Sequence, residues 1–245
     1  MQFIEKIISF CYNILKKKER IDDYMTLKKM TAQISIFLKD GIMNPSKYKK
    51  NINEIFNDLF SKEILSINID GVPDDMPLVR CTSKDNMLSY DFSRKRINFA
   101  INFTSKNKLI SFDDYKNKVL ELITNDLLSV TDISRIGIAF VYYCDVEDKN
   151  NNYWINKYSF PFASNSTSQL SYMINNSFEK NAIKFNNIIN LSNASIDGKN
   201  FPIVSVDLNN VPNNMLTEEQ ITFILTKCSN YSIDSVSKLL NDDKQ

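Results

Sequence analysis

Arg96-Ile97-Asn98-Phe99-Ala100-Ile101-Asn102-Phe103-Thr104 is the stretch that decides the fold. Ile97, Phe99, Ile101 and Phe103 fall on one face and Asn98, Ala100 and Asn102 on the other, the two-residue period of a half-buried strand. Two more extended runs precede it, Leu78 to Thr82 and Met87 to Phe92, and Ser93-Arg94 is placed to turn a hairpin between the last two. Three strands joined in this way form a meander at the centre of the chain.

Upstream, Ala32, Ile34, Ile36 and Leu38 alternate with Gln33, Ser35 and Phe37, so a second strand with one strongly apolar face ends at Asp40-Gly41. Asn44-Pro45 suits the start of a helix, because Asn caps free amides and Pro fits the first turn. Its buried stripe is Tyr48, Ile52, Ile55, Phe56 and Leu59. Leu65, Ile67 and Ile69 alternate in the strand that follows and stops at Asp70-Gly71. The segment 2–16 reads as an amphipathic helix with Lys16-Lys17-Lys18 at its carbonyl pole.

Downstream, Ser111 with Asp114 resembles a capping box, and Phe112, Tyr115, Val119, Leu122, Ile123 and Leu127 mark the helix behind it. Ile133 to Cys144 is long, β-branched and aromatic, as a central strand requires. Gly137 inside it suggests a bulge or a close backbone approach. In 166–195, Leu170, Met173, Ile174 and Phe178 suit a helix and 182–194 a ragged strand. Phe201 to Leu208 is a strand, Thr217 with Gln220 caps a helix carrying Ile221, Ile224, Leu225 and Cys228 inward, and Ser232 to Leu240 is a last helical piece.

The class predicted is therefore α+β: a mixed, largely antiparallel sheet with amphipathic helices packed on one face. The 245 residues suffice for one domain, 1–245, with 1–128 and 129–245 as candidate subdomains. Strand–helix–strand order at 32–70 and again at 96–144 suggests an internal β-α-β duplication.

Composition removes much familiar chemistry. There is no histidine and there are only four glycines, which excludes Ser-His-Asp triads, imidazole metal ligands and glycine-rich phosphate loops. The formal net charge is +1, but residues 1–120 hold 21 Lys/Arg against 15 Asp/Glu, while 121–245 hold 9 against 14. The 31 asparagines are read as compositional drift. Cys11, Cys81, Cys144 and Cys228 lack C-x-x-C spacing and read as free, mostly buried thiols in a reducing cytosol. The apolar N-terminus is interrupted by Glu5 and Lys6 and has no small-residue cleavage site, so a cytoplasmic chain without a membrane span is expected.

Ser129-Val130-Thr131-Asp132-Ile133-Ser134-Arg135-Ile136-Gly137-Ile138-Ala139-Phe140-Val141-Tyr142-Tyr143 resembles the signature strand of a sporadically distributed bacterial family of about this length. That family reads Val-x-Arg-Ile-Gly-Leu-Arg-Tyr-Ile-Asn after an amphipathic helix. Arg135, Ile136 and Gly137 match it, Ile138 and Phe140 are conservative replacements, and Ala139 departs from the family's arginine. Val204-Ser205-Val206-Asp207 echoes the family's late strand. The resemblance implies a patchy, mobile-element distribution, as in phage-defence or toxin–antitoxin loci, and brings no established activity.

Carboxylates are the remaining abundant reactive groups. Asp70, Asp74, Asp75, Asp91 and Asp207 stand at or near strand ends, where a Mg²⁺-dependent nuclease would place ligands. The triplet Asp197-Gly198-Lys199 reads as a turn instead. No nucleophile-plus-base spacing appears. Arg94-Lys95-Arg96, with Arg80, Lys84 and the lysines of the first half, including Lys28-Lys29, suits phosphate binding beside Tyr90 and Phe92. Arg135 within an apolar strand requires a partner, and Asp207 is the candidate. Tyr142, Tyr143, Trp154 and Tyr158 are either core residues or rigid anchors at an interface.

Three functions follow in order. The first is a non-enzymatic recognition or regulatory subunit without a cofactor, docking a protein partner from its own operon through Arg135, Tyr142, Tyr143, Trp154 and Tyr158. The second is a nucleic-acid-binding module using Arg94, Lys95 and Arg96. The third is a histidine-free Mg²⁺ nuclease.

Overall fold

The computed structural model describes residues 27–67, 71–103, 110–144, 172–196, 198–212 and 215–228. The expected helix at 2–16, the loop 145–152, Trp154, Tyr158 and the helical piece 232–240 lie outside them.

Among the described residues nine strands form one sheet: β1 Leu27–Leu38, β2 Lys62–Ser66, β3 Val79–Thr82, β4 Leu88–Phe92, β5 Arg96–Asn102, β6 Ile133–Cys144, β7 Tyr172–Lys180, β8 Ile183–Ile196 and β9 Lys199–Asn210. Their order is β2-β3-β4-β5-β1-β6-β9-β8-β7. Every strand pair among the described residues is antiparallel. β1 and β6, each of twelve residues, pair at the centre, with Ile34 opposite Ile138. The expected meander extends to four strands, β2 through β5, and its last strand returns beside β1.

Alternation sorts the sheet into two faces. Ala32, Ile34, Ile36, Ile97, Phe99, Ile101, Ile136, Ile138, Phe140, Val204, Val206 and Leu208 are all buried on one of them. Three helices contribute to the same hydrophobic cluster: α1 Lys49–Ile55, α2 Phe112–Leu122 and α3 Glu218–Phe223. Phe56, just past α1, stacks on Phe99 at 5.5 Å and meets Tyr115 edge-on at 5.3 Å, while Phe112 meets Phe140 at 5.0 Å. Two of the three predicted caps form; Asn44 makes no cap hydrogen bond, and Pro45–Tyr48 is a 3₁₀ turn ahead of α1. Ser111 Oγ accepts from the Asp114 amide, and Thr217 with Gln220 makes a full reciprocal capping box. Each of these two helices runs on into a π-helical turn, Ile123–Leu127 and Ile224–Cys228.

Four expectations need correction. Residues 172–180 form an edge strand, not a helix, joined to β8 by Asn181 and Ala182, both at positive φ (51° and 56°). The strand expected at 65–69 spans Lys62–Ser66 and is largely exposed. Gly137 makes neither a bulge nor a close approach: it pairs regularly, and a Cβ there would have 3.6–3.9 Å neighbours, ordinary contact. The irregularities of the β1–β6 pair lie elsewhere: Met30 is the extra residue of β1 between Lys29 and Thr31, and Ser134 is the extra residue of β6 opposite Phe37 and Leu38. The first turns Lys29 to the helix side, where its ammonium lies 5.1–5.4 Å from the rings of Phe103, Phe112 and Phe140. Burial lowers the Lys29 pKa, and Lys29 is not part of a basic surface with Lys28.

No helix among the described residues is long and apolar enough to cross a membrane. Cys81 and Cys144 are buried, as expected.

Candidate functional site

The other face of the sheet is built from the residues that alternate with the core. Strand register lines them up in rows across the sheet. One row runs Arg80, Asp91, Asn98, Ser35, Gly137, Asn209, Asn186 and Ser177, and the next runs Thr82, Ser89, Ala100, Gln33, Ala139, Asp207 and Ile188. This floor is amide and hydroxyl chemistry on short side chains. Gln33 Nε2 donates to Ser35 Oγ at 2.8 Å and Ser35 Oγ donates to Asn98 Oδ1 at 2.9 Å. Asn186 Nδ2 donates to Asn209 Oδ1 at 3.4 Å, while the buried Asn209 Nδ2 has no acceptor. Arg80 closes the row with a bidentate pair to Asp91, which raises the arginine's already high pKa.

At the end of the central strands the chemistry changes. Phe37 of β1 is flanked in register by Arg96 of β5 and Arg135 of β6. The Arg135 guanidinium carbon lies 5.1 Å from the Phe37 ring centroid and that of Arg96 lies 5.9 Å from it. Each Nε is buried without a hydrogen-bond partner, and neither guanidinium has a carboxylate within ion-pair distance among the described residues. An aromatic face favours a guanidinium but leaves its N–H edges open for an oxyanion in the ring plane. The turn Ser93–Arg96 stands beside this row, closed by the Ser93 amide donating to Arg96 O at 2.8 Å. Arg94 donates to the Val72 carbonyl, and Lys95 pairs with Asp74 at 3.1 Å.

The far end of the same face carries a second cation–aromatic group. Lys28 Nζ lies 6.0 Å over the Tyr143 ring, and Tyr143 meets Phe201 edge-on at 5.8 Å. The two groups stand about 27 Å apart along β1, allowing about 3.3 Å per residue and one bulge.

The sequence-predicted residues are thus partly regrouped. Of the basic triplet only Arg96 comes together with Arg135, while the side chains of Arg94 and Lys95 turn to Val72 and Asp74. Tyr142 points into the core with its hydroxyl unpartnered, and that burial pushes its pKa up to about 12. Tyr143 faces the polar floor. Arg135 does not pair with Asp207: Asp207 sits opposite Ala139 and leans its Oδ1 to 3.8 Å from where a Gly137 Cβ would stand, but no ion pair joins it to Arg135 among the described residues. Phe37, which joins the two arginines, is not among the sequence-predicted site residues, although an aromatic ending the polar series Gln33, Ser35 is its signal. Asn98 and Asn209 were missed because the asparagines were read as drift.

The carboxylates are scattered. Asp74 and Asp91 are engaged by Lys95 and Arg80, Asp207 stands alone in β9, and Asp70 lies outside the described residues. Among the described residues no group of three His, Cys, Asp or Glu could hold a metal ion. Gly198 occupies a turn at φ 77°, as expected for its triplet, whose Asp197 lies outside the described residues. A cavity of about 440 Å³ opens near the start of α2, lined by Asn57, Leu59, Ile110, Asp114, Asn117 and Lys118. It belongs to neither cation–aromatic group. No known family model matches the chain, and no curated protein matches it in sequence.

Proposed function

We propose that the chain is a non-catalytic recognition protein whose polar sheet face binds nucleic acid. The observation that carries this reading is the Arg96–Phe37–Arg135 row: two guanidinium groups held beside one aromatic ring, neither neutralised by a carboxylate among the described residues. Arginine held beside an aromatic, next to asparagine, glutamine and serine, is the combination that takes phosphate and base edges together. The basic turn at Arg94–Arg96 adds positive charge at the same end.

Two copies of one unit underlie this face in our reading, dividing near residue 128. In each, a twelve-residue strand (β1 or β6) is followed by a meander whose last strand (β5 or β9) pairs with it. A capped helix then follows, with buried residues four and eight positions past the cap: Tyr115 and Val119 after Ser111, Ile221 and Leu225 after Thr217. This unit replaces the shorter β-α-β repeat that the sequence suggests.

Such a protein suits a sensing or regulatory role in the bacterial cytoplasm, in a phage-defence or toxin–antitoxin locus, beside a protein partner from the same operon. Fluorescence anisotropy with labelled DNA at low salt tests it. The Arg96→Ala/Arg135→Ala variant should bind at least about tenfold more weakly than the natural chain. Stoichiometric co-purification with an operon neighbour, with no affinity for DNA or RNA, would replace this reading with a purely protein-docking one.

A further inference from the structure

We infer that the chain forms a homodimer through its edge strand β7, which pairs antiparallel with β7 of a second copy about a two-fold axis at Asn176. This is independent of the nucleic-acid reading.

Among the described residues the sheet has two edges, β2 and β7, and they differ in kind. β2 has five residues, exposes Lys62 and Glu63, and is broken by an extra residue at Ile64. The Lys49 ammonium, from the helix layer, pairs with Glu63. Short length, charge and a bulge are the devices that keep an edge from accepting another strand. β7 lacks them over most of its length. It runs nine residues in unbroken register with β8, holds no proline, and keeps its charges, Glu179 and Lys180, to the end beside the turn. Met173 is left 65% exposed. In the two-unit reading β7 stands where β3 stands in the first unit. β2 covers β3, whereas no described strand lies outside β7.

The backbone of β7 is set to receive a strand. Asn181 and Ala182 form a two-residue turn between Lys180 and Ile183, so the even-numbered residues of β7 exchange hydrogen bonds with β8. The N–H and C=O groups of Met173, Asn175, Ser177 and Glu179 therefore point outward from the edge.

Side chains choose the occupant and the register. Ile174 and Phe178 pack against the core, Phe178 stacked on Phe185 at 5.2 Å, and alternation puts Asn176 between them on the same face. With the axis at Asn176, Ile174 of each copy meets Phe178 of the other, and the two Asn176 amides, each both donor and acceptor, meet one another. Met173 then faces Glu179 and Asn175 faces Ser177, the pairs that exchange the outward backbone hydrogen bonds. Moving the axis to Asn175 sets Ile174 against Asn176, and moving it to Ser177 sets Ile174 against Lys180. A strand matched to its own reverse in this way selects a second copy over an unrelated partner. The axis stands perpendicular to the sheet, so both helix layers lie on one side of a continuous sheet.

The test is the mass of the full chain in solution, followed by sedimentation as its concentration rises. An edge pair buries little surface, so association should be micromolar, and the natural chain should approach twice its 28.4 kDa at about 100 μM. Asn175→Lys/Ser177→Lys sets like charges opposite one another and should weaken association at least about tenfold. Asn175→Pro removes only an outward N–H and should do the same. Circular dichroism and the urea midpoint check that these variants fold. Asn176→Cys should oxidise to a dimer joined through its two position-176 peptides, because an opposed pair of this kind holds its Cα atoms about 4.5 Å apart. A natural chain that stays monomeric throughout, as it would if one of its own segments covered β7, would overturn the inference. So would a dimer that survives the lysine pair unchanged or fails to cross-link at position 176, since either places the interface on another surface.

Discussion

Phe37 and Arg135 sit directly opposite one another across the β1–β6 pair, with the guanidinium carbon 5.1 Å from the ring centroid. The contact orients the arginine without neutralising it. Arg135→Lys keeps the charge but loses the flat, pre-organised donor edge. We expect it to weaken DNA binding about threefold to tenfold at fixed salt, with Arg135→Asp weaker still, measured by anisotropy. Both variants should melt within about 1 kcal/mol of the natural chain, since neither disturbs the core.

Asn210 secures the edge of this site. It is fully buried, accepts from the Ile136 amide at 2.7 Å and donates to the Ser134 carbonyl at 3.2 Å. Its side chain thereby completes β6 where β9 turns away, before Leu216 N bonds to Ile133 O. Asn210→Ala leaves a buried donor and acceptor unmatched and should cost about 2–3 kcal/mol in urea unfolding. Asn210→Asp restores the acceptor only and should remain well below the natural stability.

The β7–β8 hairpin holds a correctable strain. Asn181 and Ala182 both adopt left-handed backbone, as a two-residue turn of this hand demands. Asn tolerates that conformation, but Ala pays about 1 kcal/mol for its Cβ. Ala182→Gly should therefore raise stability by up to about 0.5 kcal/mol, net of glycine's extra freedom when unfolded, seen as a higher urea midpoint at unchanged slope.

Tyr142 makes an alkaline prediction. Its hydroxyl is buried without a partner, and burial pushes its pKa up to about 12, above the ordinary value near 10. The unfolded chain loses that proton first, so its contribution is intact below about pH 10 and is lost as pH rises through about 12. Tyr142→Phe should flatten the fall in stability across that window and leave neutral-pH stability equal or slightly higher. Denaturant titrations at several pH values read both effects.

The central strands were legible because burial of one face forces strict alternation. β5 and β6 have the apolar periodicity expected of them, and β6 has the bounds expected. The edge strands obey no such rule. Over 173–180 only Ile174 and Phe178 are even partly buried, and a spacing of four puts two residues on one face of a helix and of a strand alike. Met173, which a helix would have buried with them, is 65% exposed. β2 is exposed on nearly every residue, so its alternation gave the wrong bounds. The capping signals at Ser111 and Thr217 held, each satisfied within one turn, whereas Asn44 makes no cap hydrogen bond before its 3₁₀ turn. The site was harder. Phe37, Arg96 and Arg135 become neighbours only through two strand registers, and neither register is set by residues near them in sequence.

The most direct test of nucleic-acid recognition by this face is the salt dependence of DNA binding. The logarithm of affinity, plotted against the logarithm of salt concentration, should fall linearly for the natural chain. Removing both guanidinium groups in Arg96→Ala/Arg135→Ala should shallow that slope by about two contacts' worth. An identical slope and affinity in the two proteins would contradict the account.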